Sequence, residues 1–288
     1  MAPEDDISLY EGAVLPLEES YEVANAYPSR VVLMMGEKDA GKTTLLAEIH
    51  DAYLRAPFAG FIFAGSKTLI GFEERCFLSR IKSGQTKEDT ERTKYADIRL
   101  LHIALAEEAA PETRTHLLLT DVSGERFKEI RTSVEEAREL SPLVRRADHV
   151  VLLVDGDRLT VAKTQMSTET NACLLLRCLL EAGGLSVSSS LDIVISKWDF
   201  VATRTASDSA VRLETAMRRV IPTLRPRFHH VAARSENPVT IPHGFGMDTL
   251  IQGWMVRPDR SAHVHAVESS AHESSRWYQR YQFRSRVS

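Results

Sequence analysis

Residues 36–43 read GEKDAGKT, with Gly36 and Gly41 bracketing a short polar run and Lys42 and Thr43 following at once. This is the spacing of a phosphate-binding loop. The two glycines let the backbone turn tightly, so that the successive N–H groups of Gly36, Glu37, Lys38, Asp39, Ala40, Gly41, Lys42, Thr43 and Thr44 can converge on phosphate oxygens. Lys42 adds a point charge for β- and γ-phosphates, and the Thr43 hydroxyl is a ligand for Mg²⁺. A helix beginning here would add the positive end of its dipole.

A second constellation addresses the base. SKWD, residues 196–199, closes the apolar run LDIVI. A carboxylate at Asp199 can accept from guanine N1–H and the 2-amino group together, whereas adenine offers neither donor there and would leave a buried acid unpaired. The reading favours GTP over ATP. Lys197 would lay its aliphatic stem along the base, and Ser196 stands where Asn is more usual, which removes one bracing amide. Further on, VAARSE offers the Ala233 N–H to guanine O6, where it would exclude the adenine amine.

These residues need strands and helices to hold them. RVVLMMG (30–36) is a short β-branched, apolar run of the kind buried on both faces of a parallel sheet, and GKTTLLAEIHDAYL after it carries Leu45, Ile49 and Tyr53 at helical spacing. Further strands are expected at 98–105, 115–121, 149–155, 191–196 and 228–233. Between 161 and 182 the pattern is helical, with Met166, Cys173, Leu176 and Leu180 on one face and Gly183 and Gly184 as the stop. Strands alternating with helices predict a three-layer α/β domain with a mainly parallel sheet and ligands at the carboxyl ends of its strands.

The domain is expected over 29–258, preceded by an acidic, loop-like arm (1–28) and followed by a Ser- and His-rich tail (259–288) that interleaves aromatics with arginines. Residues 56–94 form a long insertion, apolar early and charged late, of the kind that is often functional. The formal charge of −4 is too slight to argue for a nucleic-acid or membrane surface. Three cysteines form no metal-type pair, and no stretch approaches the ~18 apolar residues of a membrane span. A cytoplasmic location is expected, without DNA or a membrane as partner; the tail leaves RNA open.

Gly36–Thr43, a Thr in the long loop, Asp121–Gly124, Ser196–Asp199 and Ala232–Arg234 resemble, in order, the five guanine-nucleotide motifs of Ras-like P-loop GTPases. FAGSKTL, GFEERCFLSR, DTERT, LLHIAL, DVSGERF and VDGDRL are in turn similar to the bacterial double-GTPase proteins of proposed conflict or defence systems. The resemblance implies a Ras-like P-loop NTPase fold, GTP/GDP and Mg²⁺ as cofactors, and other proteins of one system, a sister GTPase or an effector, as partners. It makes Asp121 a Mg²⁺ contact, Gly124 a γ-phosphate contact, and Ala232, Ala233 and Arg234 part of the base loop. Thr93 in DTERTKY is the expected switch I ligand of Mg²⁺, with Thr90 and Thr86 as alternatives.

Where the family places a water-positioning Gln, this sequence has Glu125. A carboxylate only accepts hydrogen bonds, and it brings negative charge toward an anionic γ-phosphate, which should turn it outward unless it is protonated or paired, for example by Arg126. Slow hydrolysis is therefore expected, accelerated by an arginine from the long loop (Arg92), from switch II (Arg126 or Arg131), or from another protein. Two other readings stay open: a P-loop ATPase or nucleotide kinase in which SKWD is accidental, and a scaffold that keeps GTP without hydrolysing it.

Overall fold

The computed structural model describes residues 14–81, 99–120, 122, 124–204, 207–236 and 238–258. Its strands are β1 (Leu15–Pro16), β2 (Ser29–Gly36), β3 (Phe61–Gly65), β4 (Arg99–Glu107), β5 (Ala110–Thr120), β6 (His149–Asp155), β7 (Ser190–Ser196) and β8 (Arg227–His230). Its helices are α1 (Leu17–Ala26), α2 (Lys42–Arg55), α3 (Leu69–Ile81), α4 (Gly124–Ile130), α5 (Val134–Arg146), α6 (Gly156–Thr160), α7 (Ala162–Glu181), α8 (Trp198–Thr203), α9 (Ser207–Val220) and α10 (Met247–Met255).

The strands form one sheet in the order β1-β4-β5-β2-β6-β7-β8, with β3 also on β4. From β5 to β8 every neighbouring pair is parallel, while β4 runs antiparallel to β5. β1 and β3 both pair antiparallel with β4 on the edge that β5 leaves open, β1 at Arg99 and Leu100 and β3 at Ala104–Glu107. The period-2 alternation of a strand then divides the core. On β2, Val31, Leu33 and Met35 enter one hydrophobic layer and Val32 and Met34 the other. Residues of α4, α5, α7 and α9 cover the first layer, and those of α2, α3 and α10 the second. This is the three-layer α/β fold expected of a P-loop NTPase. The chain leaves β2 toward β5 on one side and β6 on the other, so the crevice at the carboxyl end of β2 is a topological switch point, where such sheets bind ligands.

Four elements differ from the sequence reading. The arm before β2 contains β1 and α1: among the described side chains of α1, Ser20 and Val23 are buried, which leaves little apolar periodicity to detect. The insertion at 56–94 contains β3 and α3, and the remainder from residue 82 lies outside the described residues. β5 starts five residues before the expected strand at 115, because its first half pairs with β4 in an exposed antiparallel ribbon. On α7 the buried face runs through Thr168, Ala172, Leu175, Leu176 and Leu179; Met166 is 71% exposed, while Thr168 turns inward and its hydroxyl bonds Thr164 O. Among the described residues, no helix is long and apolar enough to cross a membrane.

Candidate nucleotide-binding site

The phosphate loop turns where its glycines permit. Gly36 has φ 147°, and a Cβ there would stand 2.6 Å from Leu153 O of the adjacent β6. Asp39 and Gly41 also have positive φ, which folds the loop back to start α2 at Lys42. The N-cap of α2, Gly41, supplies no side-chain cap, so the first-turn amides are offered to an acceptor from outside the helix. Leu45, Ile49 and Tyr53, all buried, pin the helix to the sheet behind its open end. Lys42 Nζ donates to the carbonyls of Gly36 (2.7 Å) and Glu37 (3.0 Å), which draws the ammonium across the loop, and it lies 5.7 Å from the Phe127 ring centroid. Thr43, in the first turn, is exposed.

At the end of β7 the chain builds a second half-site. Ser196 Oγ donates to Val154 O (3.2 Å), and the same Oγ lies 3.7 Å from the place of a Cβ on Gly41. The serine thus ties β7 to β6 and packs under the phosphate loop, a different bracing from the amide it replaces. Lys197 is in the left-handed region (φ 50°) and its ammonium donates to Asp155 Oδ2 at 2.7 Å. Asp155 Oδ1 accepts from the Arg158 amide and so caps α6. Trp198 stacks on His230 with ring centroids 3.7 Å apart, fixing the start of α8 against β8.

Asp199 follows, 4% exposed. Its Oδ2 accepts from the Glu236 amide at 3.0 Å, while Oδ1 is buried without a hydrogen-bond partner among the described residues. A buried carboxylate oxygen left unpaired costs roughly 1–3 kcal/mol or more, so this atom marks where an N–H donor belongs. In the neighbouring loop the Ala232 amide donates to Phe245 O and Ala233 O accepts from Gly244, which fixes the course of the base loop. Arg234 turns from this loop to Glu48 of α2, with Nε 2.9 Å from Oε1.

Gly124 opens α4 directly against the phosphate loop: a Cβ on it would lie 2.5 Å from Lys38 N and 2.8 Å from the Glu37 carbonyl carbon. Glu125, next along, is exposed, and Arg126 is half-buried. Arg131 forms an ion pair with Glu37, and Arg158 approaches the same carboxylate at 3.9 Å. Asp121, Thr86, Thr90, Arg92 and Thr93 lie outside the described residues. Among the described residues there is no group of three His, Cys, Asp or Glu side chains to hold a metal. A hydroxyl such as Thr43 suits Mg²⁺, a hard cation that takes oxygen ligands and shares them with substrate phosphates.

Two ion pairs at this end of the sheet, Asp155 with Lys197 and Glu37 with Arg131, were not foreseen from the sequence. Asp155 carried a signal, an acid at the carboxyl end of an apolar strand. The Glu236 amide carried none.

The family model described as Double-GTPase 2 matches residues 30–255. No curated protein matches the chain. Among solved structures, the chain is similar to translation elongation factor SelB from Methanococcus maripaludis in complex with the GTP analogue GppNHp (12% identity, TM-score 0.40, covering 81% of this chain and 35% of that one). It is also similar to the GTPase-like domain of S. cerevisiae Ski7 bound to GTP (13% identity, TM-score 0.45, 84% of this chain and 53% of that one). A third likeness is to the signal recognition particle receptor SRb-GTP/SRX complex from Chaetomium thermophilum (15% identity, TM-score 0.41, 74% and 94%). The chain spans about a third of the SelB chain's length.

Proposed function

Starting from the fact that this chain belongs to the Double-GTPase 2 family, we propose that it is a GTP-binding switch that hydrolyses GTP to GDP slowly unless a partner assists. The observation that carries this reading is Asp199: one oxygen is held by the Glu236 amide and the other is buried without a hydrogen-bond partner among the described residues. Guanine N1–H and its 2-amino group supply two donors to such a carboxylate; adenine supplies none.

The phosphate loop amides and the open first turn of α2 receive the phosphates, and Lys42 exchanges its carbonyl contacts for phosphate oxygens. Thr43, with Asp121 and Thr93, would hold Mg²⁺, which when bound supplies positive charge to the β- and γ-phosphates. The Gly124 amide, beside Lys38, is the contact that distinguishes a triphosphate from a diphosphate and so sets α4. Glu125 cannot orient water as a neutral amide does, hence the slow turnover and the need for an arginine in trans or from residue 92. The output is a binding event in the cytoplasm, on a sister GTPase or effector of a bacterial multi-protein conflict or defence system.

Titration calorimetry of the purified chain with GTP, GDP and ATP in the presence of Mg²⁺ tests the reading. Both guanine nucleotides are expected to bind at micromolar Kd or tighter, with ATP at least a hundredfold weaker. Equal binding of ATP and GTP would return the site to the ATPase or kinase reading, and no binding of any of them would end both.

A further inference from the structure

The phosphate loop carries a carboxylate, Glu37, in a place that must receive several negative charges. Left alone it would oppose the ligand. Two guanidiniums face it instead: Arg131, immediately after α4, and Arg158 in α6. Burial, and then the neighbouring Arg158, lower the Arg131 guanidinium from its ordinary value, as expected of two cations sharing one anion.

The same helix meets the phosphate loop at two further points. At its start, Gly124 packs on the backbone of Glu37 and Lys38. At its middle, Phe127 is buried with Lys42 Nζ 5.7 Å from its ring centroid. α4 has seven residues, about 10 Å at about 1.5 Å per residue, so it lies across the loop like a short bar with both ends fastened to Glu37. A pocket lined by Glu37, Phe127 and Arg131 on one side and by Asn171 and Leu175 of α7 on the other borders the bar.

We propose that the Glu37–Arg131 ion pair, braced by Arg158, is the link through which the phosphate loop holds α4, and that Arg131 and Arg158 are positioning residues acting through Glu37. With its far end fastened, α4 keeps the Gly124 amide at a set distance from the loop, so the site is pre-organised for a third phosphate; unfastened, the helix is free to swing and that amide is lost. The clamp rests on the guanine-nucleotide reading of the site and adds to it a determinant of GTP over GDP preference.

The experiment measures Kd for GDP and for a slowly hydrolysed GTP analogue, with Mg²⁺, in the unaltered chain, Glu37→Gln, Arg131→Gln, the double variant and Arg131→Lys. Glu37→Gln is nearly isosteric, so the ratio can be read from a folded protein even if Arg131→Gln is damaged. Each single change is expected to reduce the GTP-analogue to GDP affinity ratio at least fivefold. The double variant should fall no further than either single, because the two residues act as one pair, and Arg131→Lys should recover part of the ratio. A merely structural role would lower both affinities together and leave the ratio alone. A ratio within twofold of the unaltered chain in Glu37→Gln, or additive losses in the double, overturns the clamp while the site reading stands. Failure of the unaltered chain to bind either nucleotide overturns both.

Discussion

His102 Nε2 and His116 Nδ1 lie 2.9 Å apart between β4 and β5, both rings buried. His102 Nδ1 accepts the Lys67 amide at 2.8 Å, so its proton must sit on Nε2 and be donated to His116. Tyr27, just after α1, stacks on His116 with centroids 4.4 Å apart. An added proton would go to His102 Nδ1, against the Lys67 N–H, or to His116 Nδ1, against the His102 Nε2–H, and in either place would set donor against donor. Burial first, then His116 and Lys67, lower the pKa of His102 from 6.5 to about 4; burial, then Arg114 and Lys67, lower that of His116.

A histidine whose folded pKa is lowered takes its proton more readily when unfolded. The stability that depends on its neutrality is therefore complete above the unfolded value of 6.5 and drains away as pH falls toward about 4. The loss for His102 should be on the order of 2–3 kcal/mol. Urea midpoints at pH 7, 6 and 5 check this: the midpoint should fall steadily, and His102→Gln, which can still accept from Lys67, should flatten the slope. Parallel slopes in the two proteins would refute the assignment.

Asp199→Asn keeps one acceptor for the Glu236 amide and turns a donor toward the base. GTP affinity should drop about a hundredfold, about 3 kcal/mol, and xanthosine triphosphate, which presents an acceptor in place of the 2-amino group, should gain. The unliganded protein should melt no lower by differential scanning, because Oδ1 has no hydrogen-bond partner among the described residues. Unchanged base preference would show that Asp199 does not read the purine.

The two glycines fail differently. Gly36→Ala puts a methyl 2.6 Å from Leu153 O at φ 147°, a clash with a strand backbone in strained dihedrals, and should cost on the order of 3 kcal/mol of stability. Gly124→Ala puts one 2.5 Å from Lys38 N, again against backbone, but with no positive φ; the start of α4 must be pushed off the loop, without strained dihedrals of its own. Both should melt lower, Gly36→Ala the more because it adds strained dihedrals to the clash, while Gly124→Ala should lose affinity for a GTP analogue more than for GDP.

How far the sequence reached follows from the range of each interaction. GEKDAGKT and SKWD were readable because their chemistry is local: positive φ at Gly36 and Gly41, an acid on the first turn of α8. The apolar strands were readable because burial on both faces leaves an unbroken run, as in β6 and β7. Glu37 with Arg131, and Asp155 with Lys197, were not, since each pair is made by the sheet bringing distant segments to one end. α1 was hidden by its acidic, weakly patterned surface, and Met166 misled because the buried face of α7 runs through Thr168, two residues on.

On the proposed reading of the site, turnover depends on Glu125. It stands exposed in the first turn of α4, one position beyond Gly124, where an amide would both donate to and accept from an attacking water. Glu125→Gln supplies that amide and removes a negative charge from beside the γ-phosphate, so single-turnover hydrolysis of GTP should rise about tenfold or more, equivalent to about 1.4 kcal/mol off the barrier. Glu125→Ala removes the charge without the amide and should change the rate far less. If Glu125→Gln instead hydrolyses more slowly than the unaltered chain, the carboxylate itself takes part in moving the water's proton, and the slow, partner-dependent switch gives way to an enzyme that carries its own base.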